Sequence, residues 1–310
     1  MEDFSKWRIG VIGFGEVGKT FAKGWKDKVK LETGMKVWDL KLSANFENAK
    51  VHQESLEQVR DMGILRASGC ADLVDGVNLI VSCVTASNTL AVAKEVSQTI
   101  KPGQFFIDLN SASPGTKQAC AALIDAKGAF YVEAGVMTSV PPYGIKVPML
   151  LGGIKADYLA SVIQSYGGDA KAVSEKLGVA SAIKMCRSIM IKGLEALVIE
   201  SYTTARHYGV EQAMLATLKE TMPGIDWVEQ GAYLFSRVVQ HGKRRAEEMR
   251  ESAVTVKETG ASPFMAQAIA DKQDWVSQLA AQGVFAGIHG QSPWQDYADA
   301  LIAHLDQKPA

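Results

Sequence analysis

Ile9-Gly10-Val11-Ile12-Gly13-Phe14-Gly15-Glu16-Val17-Gly18 is the stretch of this chain that decides its fold. An apolar run leads into G-x-G-x-x-G, and a helical pattern follows from Gly18 to Trp25. Gly13 permits a tight turn, Gly15 lets backbone come close to a pyrophosphate, and Gly18 lets helix and strand pack closely. The N–H groups of Phe14, Glu16 and Val17 join the glycines at a helix N-terminus, where the backbone attracts phosphate. Asp39 ends the next apolar run, roughly 20 residues past Gly18, where the dinucleotide fingerprint needs an acidic partner for ribose hydroxyls. A carboxylate there accepts from the 2′-hydroxyl of NAD and repels the 2′-phosphate of NADP. Lys41, two residues on, offsets this in part, so NAD is expected and NADP is the lesser choice.

Outward from that stretch, short apolar runs alternate with helical ones. Strands are expected over 8–12, 35–38, 79–84, 104–109, 131–134 and 149–151, and helices over 91–100 and 116–126. This alternation predicts βαβ units in a doubly wound, mostly parallel sheet. From about Val173 no strand is evident, and long periodic stretches cover 179–208, 211–221, 228–252 and 263–281. The fold class expected is α/β: a dinucleotide-binding domain over 1–172 and an all-helical substrate and dimerisation domain over 173–310, joined by a long helix.

Composition narrows the function. The net charge of −1 argues against a nucleic-acid partner. The basic cluster Lys243-Arg244-Arg245 is followed by Glu247 and Glu248 and reads as a solvated, mixed-charge helix face. Cys70, Cys83, Cys120 and Cys186 form no C-x-x-C pair, so no metal site is expected. Met1-Glu2-Asp3 is acidic where a secretory signal is basic, and no apolar run approaches the roughly 18 residues of a membrane span. A soluble cytoplasmic protein with a small-molecule substrate is expected, without nucleic acid or membrane as partner.

Three further segments resemble those of the β-hydroxyacid dehydrogenase superfamily, which includes 3-hydroxyisobutyrate and 6-phosphogluconate dehydrogenases, and within it a bacterial phosphogluconate-dehydrogenase-like branch. Asp108-Leu109-Asn110-Ser111-Ala112-Ser113-Pro114 is similar to the family's D-x-S-T-x-x-P. Asn110 and Ser111 there bind substrate or nicotinamide, or form a turn capping the next helix; both readings can hold. Tyr131 to Gly153 resembles the stretch beginning D-A-P-V-S-G-G, whose turn holds a substrate carboxylate. In this chain the turn is Met137-Thr138-Ser139, without glycines, and Pro141, Pro142 and Tyr143 follow, which implies a more apolar substrate shape. Ala182 to Gly193 resembles the catalytic-lysine helix. Lys184 matches the lysine and Ser188 replaces the family's asparagine; Ser188 and Lys192 share a face with Lys184.

The phosphogluconate enzymes carry a histidine three residues after the lysine and a glutamate seven after it. Arg187 and Ile191 stand there, which argues against decarboxylation. Val238 to Ala246 loosely resembles the family's K-D-L-x-L-A, placing His241 either at the substrate or on an exposed helix face. The resemblance implies hydride transfer between nicotinamide, held near Val84, Thr85 and Asn110, and a small hydroxy acid or related alcohol or carbonyl compound. Lys184 is then the general acid/base, its pKa lowered by burial or by Lys192. Imine reduction on the same scaffold and non-catalytic NAD binding are the rival readings. Family members assemble as dimers or higher oligomers, and the helices expected over 213–218 and 276–286 carry small and apolar residues around much of their circumference, which need burial; a homodimer or higher homo-oligomer is expected.

Overall fold

The computed structural model describes residues 7–26, 28 and 34–307, so Met1-Glu2-Asp3 falls outside them. Contacts divide the chain into one compact unit running to Met185 and another from Cys186.

The first unit holds one eight-stranded sheet. Its strands are β1 (Ile9–Ile12), β2 (Met35–Trp38), β3 (Leu65–Arg66), β4 (Leu79–Ser82), β5 (Phe105–Asp108), β6 (Phe130–Val136), β7 (Met149–Gly152) and β8 (Ala170–Ser174). Their spatial order is β3-β2-β1-β4-β5-β6-β7-β8. All neighbours run parallel except β6 and β7. The helices are α1 (Glu16–Trp25), α2 (Ala49–Asp61), α3 (Cys70–Val74), α4 (Thr89–Val96), α5 (Pro114–Asp125) and α6 (Ala156–Ser165). Every residue of β1, β4 and β5 is buried, the pattern of parallel strands covered on both faces. Two apolar clusters fill the two faces, one around Phe21, Trp25 and Leu159, the other around Leu73, Val96 and Ile124.

The strand order reverses between β1 and β4. Open α/β sheets bind ligands outside the carboxyl ends of their strands at such a switch point. The Gly13 N–H donates to the Trp38 carbonyl (2.8 Å) and the Cys83 N–H to the Ile12 carbonyl (2.7 Å), which ties together the chain leaving β1, β2 and β4 there.

The second unit contains most of the helix α7 (Val179–His207), then α8 (Glu211–Thr221), α9 (Trp227–Glu258), α10 (Phe264–Ala281) and α11 (Trp294–Asp306). Asp226 caps α9 by accepting from Val228 N and Glu229 N. The core packs Tyr202, Phe235, Trp294 and Tyr297 together. Among the described residues no helix is long and apolar enough to cross a membrane, and no three His, Cys, Asp or Glu could hold a metal ion.

Three expectations change. The boundary at 172/173 cuts through β8, an Ala-Lys-Ala-Val-Ser edge strand too polar to announce itself, and the contacts divide the chain at Met185 and Cys186 instead. The stretch 276–286 is not one helix; α10 ends at Ala281 and a turn with Gly283 and Gly287 at positive φ follows. The mixed-charge stretch of α9 is not simply solvated. Arg245 is buried on Glu195, and Glu248 pairs with Lys192 at 2.8 Å.

Candidate functional site

The glycine turn has the geometry the sequence implies. Gly13 sits at φ +95°, and a side chain there would strike the Cys83 carbonyl. A Cβ on Gly18 would collide with the Gly13 carbonyl. Gly15 differs: a Cβ on it would meet nothing within 4 Å. Gly15 is also the N-cap of α1, with no side chain capping the helix. The α1 N-terminus therefore opens onto free space beside Gly15, as a pyrophosphate requires. Glu16 is exposed and Val17 half-buried, whereas the Phe14 side chain is buried.

Asp39 follows β2 directly. Its Oδ2 accepts from Phe14 N at 2.6 Å and its Oδ1 from Lys41 N at 2.9 Å. The carboxylate thus braces the glycine turn. Each oxygen keeps a second lone pair, the capacity that ribose hydroxyls need. Lys19 lies with its ammonium 5.5 Å from the centre of the Phe14 ring. Burial, and after it the charge of Lys41, hold its pKa below the ordinary lysine value. These residues fit a dinucleotide.

Farther along the same edge, Val84 and Thr85 leave β4, and Thr85 is exposed. Asn110, which leaves β5, is buried and its amide is engaged. Oδ1 accepts from Val84 N at 2.7 Å, and Nδ2 donates to Ser82 Oγ at 3.0 Å. Asn110 therefore clamps the ends of β4 and β5 to each other. Beneath it, Asp108 is fully buried. Its Oδ1 accepts from Asn110 N (2.9 Å) and from Lys117 Nζ (2.9 Å), and its Oδ2 from the Tyr131 hydroxyl (2.7 Å). Lys117 is itself buried and also donates to the Asp108 carbonyl. Burial and, next, the Asp108 charge push the Tyr131 phenol well above its usual pKa, so it stays a donor. Ser113 caps α5 and Pro114 opens it.

Lys184 reaches this edge from α7. Its Nζ lies 2.6 Å from Ser111 Oγ. The side chain is half-buried. Gly135 of β6 makes the approach possible, because a Cβ there would press on the Ala180 carbonyl at 3.0 Å and on the Lys184 Cβ at 3.4 Å. The start of α7 is held by Glu133, a fully buried carboxylate of β6. Its Oε1 accepts from Gly178 N (2.7 Å) and Ala180 N (3.1 Å), and its Oε2 from Ser181 N (3.3 Å).

Met137, Thr138 and Ser139 leave β6 at this same carboxyl edge. Met137 extends the pairing with β7 through Met137 N to the Pro148 carbonyl at 3.0 Å, and Thr138 is exposed. Tyr143 is exposed as well, while Ile145 packs over Gly24 of α1. The first unit therefore gathers Gly13, Gly15, Gly18, Asp39, Val84, Asn110, Ser111, Met137 and Lys184 at one edge of one sheet.

Ser188, Lys192 and His241 belong to the second unit. Lys192 is buried, pairs with Glu248 and reaches Ser188 Oγ at 3.3 Å. Beside it Glu195 accepts from Arg245 Nε (2.8 Å) and Gln273 Nε2 (2.9 Å). His241 is half-buried on α9, one turn before Arg245.

Residues 8–160 match the family model described as the NAD binding domain of 6-phosphogluconate dehydrogenase, and residues 205–276 match a domain of unknown function, DUF1932. An uncharacterised 28.5 kDa protein of Methanothermus fervidus is 30% identical over 261 residues, 83% of this chain and 94% of that protein. The crystal structure of a conserved hypothetical protein from Sinorhizobium meliloti is 31% identical, with a TM-score of 0.73 over 96% of both chains. A 3-hydroxyisobutyrate dehydrogenase from Salmonella typhimurium shares the fold at 17% identity, with a TM-score of 0.62 over 96% of this chain and all of that one.

The chain belongs to the β-hydroxyacid dehydrogenase superfamily. Nicotinamide-dependent oxidoreduction follows at the level of the superfamily. Reading the sequence for its motifs passed over Glu133, Lys117 and Tyr131. The available signal was an ionisable residue inside an apolar strand, Tyr-Val-Glu-Ala-Gly-Val, where a charge needs partners.

The two loop glycines should separate on substitution. Gly18→Ala forces a Cβ into the Gly13 carbonyl and should lower stability by about 1–3 kcal/mol, the usual range for overpacking. Gly15→Ala has room, so its denaturation midpoint should hold. Its added methyl occupies the phosphate approach, and the NADH dissociation constant should rise by about tenfold or more, roughly 1.4 kcal/mol. Denaturant melts and NADH titrations of both variants check the split.

Proposed function

We propose that this superfamily member is an NAD(H)-dependent dehydrogenase of a small hydroxy acid, or a related alcohol or carbonyl compound, with Lys184 as general acid/base. The observation that carries the reading is the 2.6 Å contact of Lys184 Nζ with Ser111 Oγ, on the sheet edge that also bears the glycine turn and Asp39. A bound nicotinamide dinucleotide supplies the hydride chemistry. Gly13, Gly15, Gly18 and the α1 N-terminus would hold its pyrophosphate, and Asp39 its ribose. Val84 and Thr85 would border the nicotinamide end.

Lys184 takes the hydroxyl proton when the substrate is oxidised and returns a proton to the carbonyl oxygen when it is reduced. Ser111 holds the amine in place and offers the substrate oxygen a second hydrogen-bonding group. We assign Asn110 a supporting role, since its amide already serves Val84 and Ser82; in the helical unit Ser188 and Lys192 serve each other and Glu248. Met137, Thr138 and Ser139, which leave β6 at this edge, are the candidates for contacts to the rest of the substrate. A lysine beside a hydroxyl suits alcohol and carbonyl chemistry better than imine reduction. A cytoplasmic setting suits the four free thiols.

A homodimer formed through the helical unit is part of this reading. Met190 and Leu197, seven residues apart on α7, are 74% and 56% exposed, and Phe264 at the start of α10 is 79% exposed. Apolar side chains repeating along one helix face call for a partner.

Lys184→Ala should lower turnover on the best substrate of a hydroxy-acid panel by ~10²–10⁴-fold, the usual loss for a positioned acid/base. NADH binding should stay intact. Turnover near that of the unaltered protein would refute the assignment, and NADH binding without turnover on any substrate would favour a binding protein. NAD(H) should bind tighter than NADP(H), and Asp39→Ala should narrow the difference; calorimetry showing tighter NADP(H) binding to the unaltered protein would contradict this. Sedimentation at micromolar concentration should give twice the chain mass, and a monomer would count against the dimer.

A further inference from the structure

We propose that Glu133 is a positioning residue for Lys184. The proposal rests on Lys184 being the acid/base for its catalytic meaning, and on geometry for everything else.

A strand brings residues i and i+2 to the same face, roughly 7 Å apart. Glu133 and Gly135 of β6 are such a pair, and both face α7. Glu133 accepts three of the backbone N–H groups at the start of the helix, from Gly178, Ala180 and Ser181. These groups have no carbonyl within the helix to receive them. Gly135 lets the next turn settle against the strand, with the Ala180 carbonyl and the Lys184 Cβ at contact distance of where a side chain would be. One short strand segment therefore fixes both the origin of α7 and the height of its second turn.

Lys184 lies on that second turn. Its Nζ must meet a hydroxyl on a different segment, the loop after β5, at 2.6 Å. β5 and β6 are paired in register with Asp108 opposite Glu133. The two buried carboxylates thus sit side by side on adjacent strands. Asp108 fixes the loop that carries Ser111, and Glu133 fixes the helix that carries Lys184. Gly152 of β7 completes the niche. A Cβ there would come within 2.5 Å of Glu133 Oε1. An ordinary helix cap is a Ser, Thr, Asp or Asn just before the helix. Here the chain entering α7 is Lys176-Leu177-Gly178, which offers no such residue, and the cap comes from 45 residues upstream in sequence. Tying the helix to the sheet in this way sets where Lys184 stands relative to Ser111, which a local cap would not do.

The test reads Lys184 directly and needs no substrate. The full-length protein is labelled with a trace of an amine-acylating reagent, and the rate at each lysine is read by peptide mass spectrometry. Glu133→Gln keeps the shape but turns an amide N–H toward the helix N–H groups. Lys184 should lose its seat on Ser111 and label at least several-fold faster, while buried Lys117 stays protected and NADH affinity stays within about twofold. Glu133→Asp keeps the charge but is one methylene short, and its Lys184 should label at an intermediate rate. An unchanged rate at Lys184 in Glu133→Gln would overturn the proposal. So would loss of Lys117 protection in both variants, which would make Glu133 a general support of the unit. Because the readout is the lysine's own reactivity, it stands even if Lys184→Ala shows that Lys184 is not the acid/base.

Discussion

A carboxylate taken out of water must be surrounded by donors, and the working edge of this sheet is built around two of them. Asp108 collects a backbone N–H, an ammonium and a phenol; Glu133 collects three backbone N–H groups. Removing one partner from a buried ion pair typically costs about 3–5 kcal/mol, because the remaining charge is left uncompensated. Asp108 and Lys117 are therefore a constraint more than a source of net stability. They allow one arrangement of the β5 loop and penalise others. Asn110 extends that arrangement to β4, and the Asp39 bridge between Phe14 and Lys41 does the same for β1 and β2. Four strand ends are thereby locked to one another, the kind of fixed framework on which groups can be held in place.

Much of this was legible in the sequence because it rests on local rules. The Ile9 to Gly18 stretch announces strand, turn and helix through glycines whose absent side chains are demanded by the Cys83 and Gly13 carbonyls. β2 and α8 fall where periodicity puts them, over Met35–Trp38 and Glu211–Thr221. What escaped is weakly patterned. β3 is two exposed residues, and α2 buries only Ser55 and Val59, so neither has an apolar stripe to read. β8 is a polar edge strand. The roles of Asn110 and Lys192 escaped for another reason. Sequence identifies an amide or an ammonium, but the partners that engage it, Val84 N and Glu248, lie 26 and 56 residues away and meet it only through tertiary structure.

The helical unit uses the same physics. Lys192 with Glu248, and Glu195 with Arg245 and Gln273, place charged groups between α7, α9 and α10, where a sequence reading of α9 expects a wet face. Gly242 lets α9 and α10 close on each other, since a Cβ there would come within 2.7 Å of the Gln273 carbonyl. Such pairs add little net stability, but each fixes the rotation of one helix against another.

If one sheet edge brings the dinucleotide and the Lys184 amine together, a crystal structure with NADH and a turned-over hydroxy acid will show it. Pyrophosphate density should lie at the α1 N-terminus beside Gly15 and the adenosine ribose on Asp39. The substrate oxygen should lie within hydrogen-bond reach of Lys184 Nζ, between that amine and the nicotinamide. A dinucleotide bound elsewhere, or a substrate oxygen that meets a different side chain while Lys184 faces away, would contradict it.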